Sequence, residues 1–179
     1  ERAANLVSSF KQVAVDQTSE QRRQFDLRAL VDDIVTTLRP TLKHLPWHIT
    51  IEVPSGLHCD SYPGPLGQVI SNLIQNAMLH AFTGRHQGNL RISASARSNG
   101  EIEMSFDDNG IGMSPAVLAR IFDPFFTTRL GSGGSGLGLS VSHNIAIGVL
   151  GGSLSARSHL GQGSSFILIF AAHAAATPT

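Results

Sequence analysis

Lysine is scarce in this sequence: of 13 basic residues, only Lys11 and Lys43 are lysines. A Walker A loop needs a lysine after its glycines, and a eukaryotic-type protein kinase needs one on a strand. No lysine follows Lys43, so both of those phosphate-binding solutions are excluded. Cysteine is nearly absent. Cys59 alone rules out an internal disulfide framework and a multi-cysteine zinc site. No apolar run reaches the roughly 18 residues of a membrane helix. Charge of one sign is also missing: 13 acidic residues balance the 13 basic ones, which argues against a dedicated nucleic-acid binder. No Asp or Glu occurs after Asp123. The chain opens on Glu1 without Met, signal peptide or transit peptide, and reads as a piece of a longer protein.

What is present is enough apolar residue for a core and an uneven supply of glycine. The 179 residues are 41% hydrophobic, which suits one domain with a short appendage. Of 18 glycines, 12 fall between Gly110 and Gly163, and five of those lie within residues 131–138. The stretch Gly131-Ser-Gly-Gly-Ser-Gly136 fits GxGxxG. A dinucleotide-binding unit would need a strand before it and an acid about 20 residues later. Thr127-Thr-Arg-Leu130 is a poor strand and no acid follows, so these glycines serve another purpose.

Periodicity divides the chain. Residues 1–14 carry Ala3, Leu6, Val7, Phe10, Val13 and Ala14 at helical spacing. They read as a dimerisation helix, with docking on the rest of the domain as the alternative, and residues 16–24 as a polar linker. Residues 25–27 read as a short strand or helix entry. Asp26 caps a helix carrying Leu30, Val31, Ile34, Val35 and Leu38 and ended by Pro40. Residues 48–53 alternate as a strand. Pro63 and Pro65 open a long helix to about Ala81. Strands are expected over 90–97 and 101–106, with a long irregular stretch over 107–135 that holds one short helix near 115–121. A helix over 136–149, strands over 153–158 and 164–170, and an unstructured tail from Ala171 complete the chain. This order predicts an α+β fold: one mixed, mostly antiparallel sheet with helices on one face.

Five segments carry chemistry, each with a plainer reading beside it. Asn72, Asn76 and His80 recur every fourth residue and form a polar strip beside the apolar arc of the long helix. Asparagine is a mediocre helix former, and its amide oxygen can ligate Mg²⁺; the plainer reading is hydrogen bonding to a neighbouring loop. In Asp107-Asp108-Asn109-Gly110-Ile111-Gly112-Met113, an ionised carboxylate only accepts hydrogen bonds and could hold an exocyclic amino group; alternatively this is an acidic turn. Phe122-Asp-Pro-Phe-Phe-Thr-Thr128-Arg129 could anchor a mobile loop and bring Arg129 to a phosphate, or pack its own small core. Gly134-Ser135-Gly136-Leu137-Gly138-Leu139-Ser140 runs into a helix whose free N–H groups favour an anion, or it is a hinge. Gly161-Gln-Gly-Ser164-Ser-Phe166 is locally a tight hairpin turn.

Taken in order, these segments closely resemble the N box, first glycine box, F box, second glycine box and final glycine box of bacterial sensor histidine kinases, over roughly residues 25–170. The resemblance implies a Bergerat-type α/β sandwich (the GHKL superfamily) that binds ATP and Mg²⁺. It implies that Asp108 holds the adenine amino group with Gly110 and Gly112 near the base, that Asn76 ligates Mg²⁺, and that Asn72 lies near the phosphates. It also implies that Phe122, Thr128 and Arg129 belong to an ATP lid, with Asn72 and Arg129 acting in transfer. Gly134, Ser135, Gly136, Leu137, Gly138 and Leu139 would offer backbone to the phosphates, and Ser164 stands where the family often has Thr near adenine. Leu79 replaces the basic residue usual after the N box, with His80 a partial substitute.

The same resemblance divides the chain into residues 1–24, the end of a dimerisation and phosphotransfer helix with its linker, residues 25–170, the catalytic domain, and residues 171–179, a tail. Its implied partners are a phosphoacceptor histidine domain upstream, a response-regulator receiver domain and a second copy of the kinase, in the cytoplasm or on the cytoplasmic side of an inner-membrane sensor. None of the eight histidines is followed by Glu or Asp, as the family's phosphoacceptor usually is, so the acceptor is expected outside this sequence. A gyrase- or chaperone-type clamp of the same fold needs a Glu base where Asn72 stands, and an amide cannot take the proton.

Overall fold

The computed structural model describes residues 21–42, 47–128 and 136–174. The expected N-terminal helix, most of the linker, Arg129, the glycine stretch through Ser135, and residues 175–179 lie outside the described residues.

Strand β1 (Arg23–Asp26) pairs antiparallel with β3 (His58–Ser61) in a two-stranded sheet. Arg23 and Gln24, expected as linker, therefore form the first half of a strand. Helix α1 (Leu27–Leu42) begins where Asp26 Oδ1 accepts the Ala29 N–H at 3.0 Å, while Oδ2 accepts the Gly56 N–H at 2.8 Å. Leu27, Val31 and Val35 bury one stripe of it. The helix does not end at Pro40, which sits inside its last turn. There it leaves the Thr36 carbonyl without its helical N–H, and the helix runs only two residues further. Cys59 is buried in the core; burial, with Asp26 nearby, pushes its thiol up to about 12, so it is not a nucleophile.

The main sheet runs β2 (Trp47–Glu52), β4 (Gly88–Ala96), β5 (Glu101–Asp108), β7 (Gly163–Ala171), β6 (Ser153–His159). Only β2 and β4 are parallel; the other three pairings are antiparallel. One face is apolar. Ile102, Met104 and Phe106 of β5 lie beside Leu90, Ile92 and Ala94 of β4 and Phe166, Leu168 and Phe170 of β7, all buried. Period-two alternation makes this one face. It is covered by α1, by α2 (Pro63–Asn76) and by α4 (Gly138–Gly148), with a short α3 (Pro115–Leu118) between the last two in sequence. The expected α+β sandwich is what the chain adopts.

Two departures from the sequence expectation matter. Helix α2 continues through Ala77–Ala81 as a single π turn, which closes on the fifth residue rather than the fourth. The chain after β7 is also ordered as far as Ala174. Ala172 accepts the Asp60 N–H at 2.8 Å, Ala174 N–H donates to Asp60 O at 2.9 Å, and Ala174 is buried. Arg22 grips the same Asp60 with two parallel N–H···O bonds of 2.9 Å, which holds its carboxyl below the usual carboxylate range.

Candidate functional site

The apolar face of the sheet changes character at one end. Along β5 the inward positions read Ile102, Met104, Phe106 and then Asp108, and the same alternation on β7 ends in Ser164 and on β6 in Ser158. Register sets Asp108 against Ser164, and Ser164 against Ser158. Three polar side chains thus occupy one row of the face that otherwise forms the core. The sequence expectation stopped β5 at Phe106; the strand continues and carries Asp108 in regular geometry.

Asp108 Oδ1 accepts the N–H of Gly110 at 2.8 Å and of Ser164 at 3.2 Å. Among the described residues, Oδ2 accepts no hydrogen bond. Burial pushes the carboxyl above its ordinary value. The Gly110 and Ser164 N–H groups oppose that, Asp107 adds to it, and Arg85 opposes it. The result is a partly desolvated acceptor with one oxygen in reserve.

The walls around it are made of close backbone approaches. Ile111 N–H donates to Ala81 O at 2.7 Å, fastening the first glycine loop to the π turn. A Cβ on Gly110 would lie 2.2 Å from Ala81 O, so that contact requires glycine. Gly163 has φ +96°, and a Cβ there would lie 2.0 Å from Asp108 O. Gly112 rests against the His159 carbonyl, and Gly161 N–H donates to Ile111 O at 2.6 Å. The first and last glycine segments are therefore one structure, hydrogen-bonded across the end of the sheet.

Helix α2 supplies the opposite side. Asn72 Nδ2 donates to Gly138 O at 3.2 Å and to Ser142 Oγ at 3.1 Å, tying α2 to the first turn of α4. The plainer reading of this amide, a bond to a neighbouring segment, is thus realised. Asn76 makes no side-chain hydrogen bond among the described residues. His80 Nδ1 lies 3.4 Å from Thr128 Oγ1. At the start of α4, the N-cap residue Leu137 gives the first-turn N–H groups no side-chain acceptor. Gly136, at φ +68°, packs beneath the Phe125 backbone, and Leu139 packs on the core.

The F-box segment is pinned at both sides of its turn. The Phe122 ring lies 4.9 Å from the His143 ring on α4. Arg120 stacks 4.6 Å over Phe126 and pairs with Asp123. Between these anchors Phe125 is 72% exposed at φ 63°, a left-handed conformation rare outside glycine. Arg129, Gly134 and Ser135 of the expected site lie outside the described residues.

Sequence reasoning missed Ser158, Ala81 and Ser142. Ser158 carried a signal: Leu154, Ala156 and Ser158 alternate, so a hydroxyl falls where the pattern predicts a core residue.

The geometry has counterparts among known proteins. Residues 62–174 match the family described as histidine kinase-, DNA gyrase B-, and HSP90-like ATPase. The sensor histidine kinase AruS of Pseudomonas aeruginosa is 34% identical over 79% of this chain and 15% of its own length. The sensor histidine kinase RcsC of Escherichia coli is 32% identical over 89% of this chain and 17% of its own. The chain thus spans less than a fifth of the length of either relative. Among solved structures, the nucleotide-free catalytic domain of histidine kinase ThkA superposes with a TM-score of 0.75 at 24% identity, covering 86% of this chain and 97% of that one. Full-length ShkA in complex with AMPPNP gives a TM-score of 0.72 at 25% identity, covering 98% of this chain and 37% of that one.

Proposed function

This chain belongs to the histidine kinase-, DNA gyrase B-, and HSP90-like ATPase family, and from that premise we propose that it is the ATP-binding catalytic domain of a sensor histidine kinase. The observation that carries the proposal is the polar row at the sheet's end, where Asp108 keeps one carboxylate oxygen open beside backbone too close for any side chain but hydrogen. Such a cleft suits the flat edge of adenine, with Asp108 accepting from its amino group and Gly110 and Gly112 bordering the base.

The phosphates would extend toward α4. Its uncapped first turn offers N–H groups at Gly138 and Leu139, and the helix dipole favours negative charge there. Gly134, Ser135, Gly136 and Leu137 would complete that cradle, and Thr128 and Arg129 would close over it from the lid. Asn76, with its amide unengaged, suits Mg²⁺, a cation that keeps waters and phosphate oxygens as its other ligands. Bound there, Mg²⁺ would neutralise phosphate charge. Asn72 would act by fixing α4 against α2 and so holding the cradle in place. Arg129 would stabilise the equatorial charge as the bond from γ-phosphorus to ADP breaks and the bond to an imidazole nitrogen forms.

The acceptor histidine would come from a segment preceding this domain, in a homodimeric kinase that passes the phosphoryl group to a receiver domain. The residues before Arg22 would be the end of that phosphotransfer helix and its linker, residues 22–174 the catalytic domain, and the chain would work on the cytoplasmic side. Among the described residues, no helix is long and apolar enough to cross a membrane.

Calorimetric titration with ATP tests the reading. The chain should bind ATP, and Asn76→Ala should weaken binding in Mg²⁺ about tenfold while leaving Mg²⁺-free binding within about twofold. Equal losses under both conditions would remove Asn76 from the metal. Stoichiometric phosphohistidine formed on this chain alone would refute an acceptor elsewhere.

A further inference from the structure

Ser158 lies one strand beyond the residues that would touch the base, yet it is the junction of the pocket. Its Oγ accepts the Met113 N–H at 2.8 Å, donates to Gly163 O at 2.9 Å, and lies 2.9 Å from Ser164 Oγ. Those three partners come from the first glycine loop, the final glycine box and the polar row itself.

The proton count is decisive. A hydroxyl has one proton to give. The Gly163 carbonyl has none, so the 2.9 Å contact between it and Ser158 needs the proton of Ser158; without it, two oxygens would meet lone pair to lone pair. The contact between Ser158 and Ser164 must then be supplied by Ser164. Its hydroxyl proton is turned toward Ser158 and away from the cleft. What Ser164 shows the ligand is lone pairs only. Beside it, Asp108 also only accepts, and the Ser164 N–H is already used on Asp108 Oδ1.

We propose that Ser158 is a positioning residue for nucleotide specificity: by accepting the hydrogen bond of the Ser164 hydroxyl, it makes the base pocket an acceptor-only surface that selects a purine 6-amino group against a 6-oxo group. The inference rests on the adenine-site reading of Asp108. Adenine presents a donor at position 6 and hypoxanthine an acceptor, the same contrast that distinguishes A from G in a groove. A 6-oxo purine meets two sets of lone pairs. Once Ser158 no longer holds the proton, Ser164 is free to turn and donate to that oxygen.

The test compares ATP with inosine triphosphate (ITP) by calorimetric titration of the whole chain. Wild type should prefer ATP. Ser158→Ala should narrow the ATP-to-ITP affinity ratio about fivefold, the worth of one neutral hydrogen bond gained or lost. General damage, including the Met113 N–H left without an acceptor, would weaken both nucleotides alike and leave the ratio unmoved. In a Ser164→Ala background, Ser158→Ala should not change the ratio further, because the residue it acts through is gone. An unchanged ratio in S158A, or the same narrowing with and without Ser164, overturns the inference while ATP binding by wild type stands. If S158A does not fold, Ser164→Ala decides: ATP should weaken while ITP holds or tightens, and equal loss of both overturns the inference. Wild type that binds neither nucleotide overturns the adenine site and this inference with it.

Discussion

Asp107 and Asp108 are neighbours in sequence and opposites in role. Pleating turns them to the two faces of one strand. Asp107 joins an outer row in which Arg91 reaches both Asp107 at 3.1 Å and Glu52 at 3.7 Å, and Ser165 donates to it. Every charge there has a partner and is at least partly exposed. Asp108 joins the inner row, where burial raises its carboxyl and backbone N–H groups, with the charge of Arg85, oppose that rise. One carboxylate is spent on the fold. The other is held at some cost to the fold and left half open. The comparison teaches that a site can be found by parity: the position that breaks the alternation of a core face is the one to examine.

The largest expected effect separates the two rows by glycine. Gly163→Ala forces a Cβ against the Asp108 carbonyl at positive φ, and should cost about 3 kcal/mol or more and abolish nucleotide binding. Gly100→Ala, at φ +83° in an open turn, should cost about 1 kcal/mol and spare binding. Thermal unfolding and titration measure both. Equal effects would erase the contrast.

Next come the carboxylates. Asp108→Asn should lower ATP affinity about tenfold, because an acceptor becomes a mixed group. The same change should not destabilise the nucleotide-free chain. A carboxyl with a raised folded pKa binds its proton more tightly folded than unfolded, so its contribution to stability falls as pH rises from the ordinary 3.8 through the raised value. D108N should therefore gain on wild type over that window. Asp60, lowered by Arg22, runs the other way: its stabilisation is present above the ordinary value and is lost as pH falls through the folded pKa. Melting temperatures across pH for D108N and Asp60→Asn should diverge in opposite directions; parallel curves would defeat the assignment.

The smallest effect is on the outer row. Arg91→Ala should shift stability by about 0.5 kcal/mol or less and leave ATP affinity unchanged, since exposed ion pairs contribute little. A larger loss of binding would show that the two faces communicate.

Much of this was legible in the sequence. The order of helical and strand patterns predicted one mixed sheet with helices on one face, and the order of the five segments carried the resemblance that implied the sandwich and the site residues. The rest was hidden for physical reasons. β3 has four residues, only two facing inward, too few for a period. The π turn adds one residue without altering the spacing of Asn72, Asn76 and His80. The described segment after β7 reads Ala-His-Ala and has no pattern of its own; main-chain bonds to Asp60 hold it. Ser158 breaks the alternation begun by Leu154 and Ala156, but only the register shows that its neighbour is Ser164.

The clamp at Asp60 has a consequence for how the domain can be handled from outside. Arg22, where the described chain enters, and Ala174, where it leaves, are fastened to the same residue. That knot lies at the Gly100 end of the main sheet, where Ala172 N–H bonds Gly100 O, while Asp108 stands at the far end of β5, seven residues on from Glu101 and roughly 24 Å at strand rise. The domain hangs from one pole and works at the other. A pull on the entering chain would be borne first at the Asp60 clamp, at the opposite end of the sheet from Asp108.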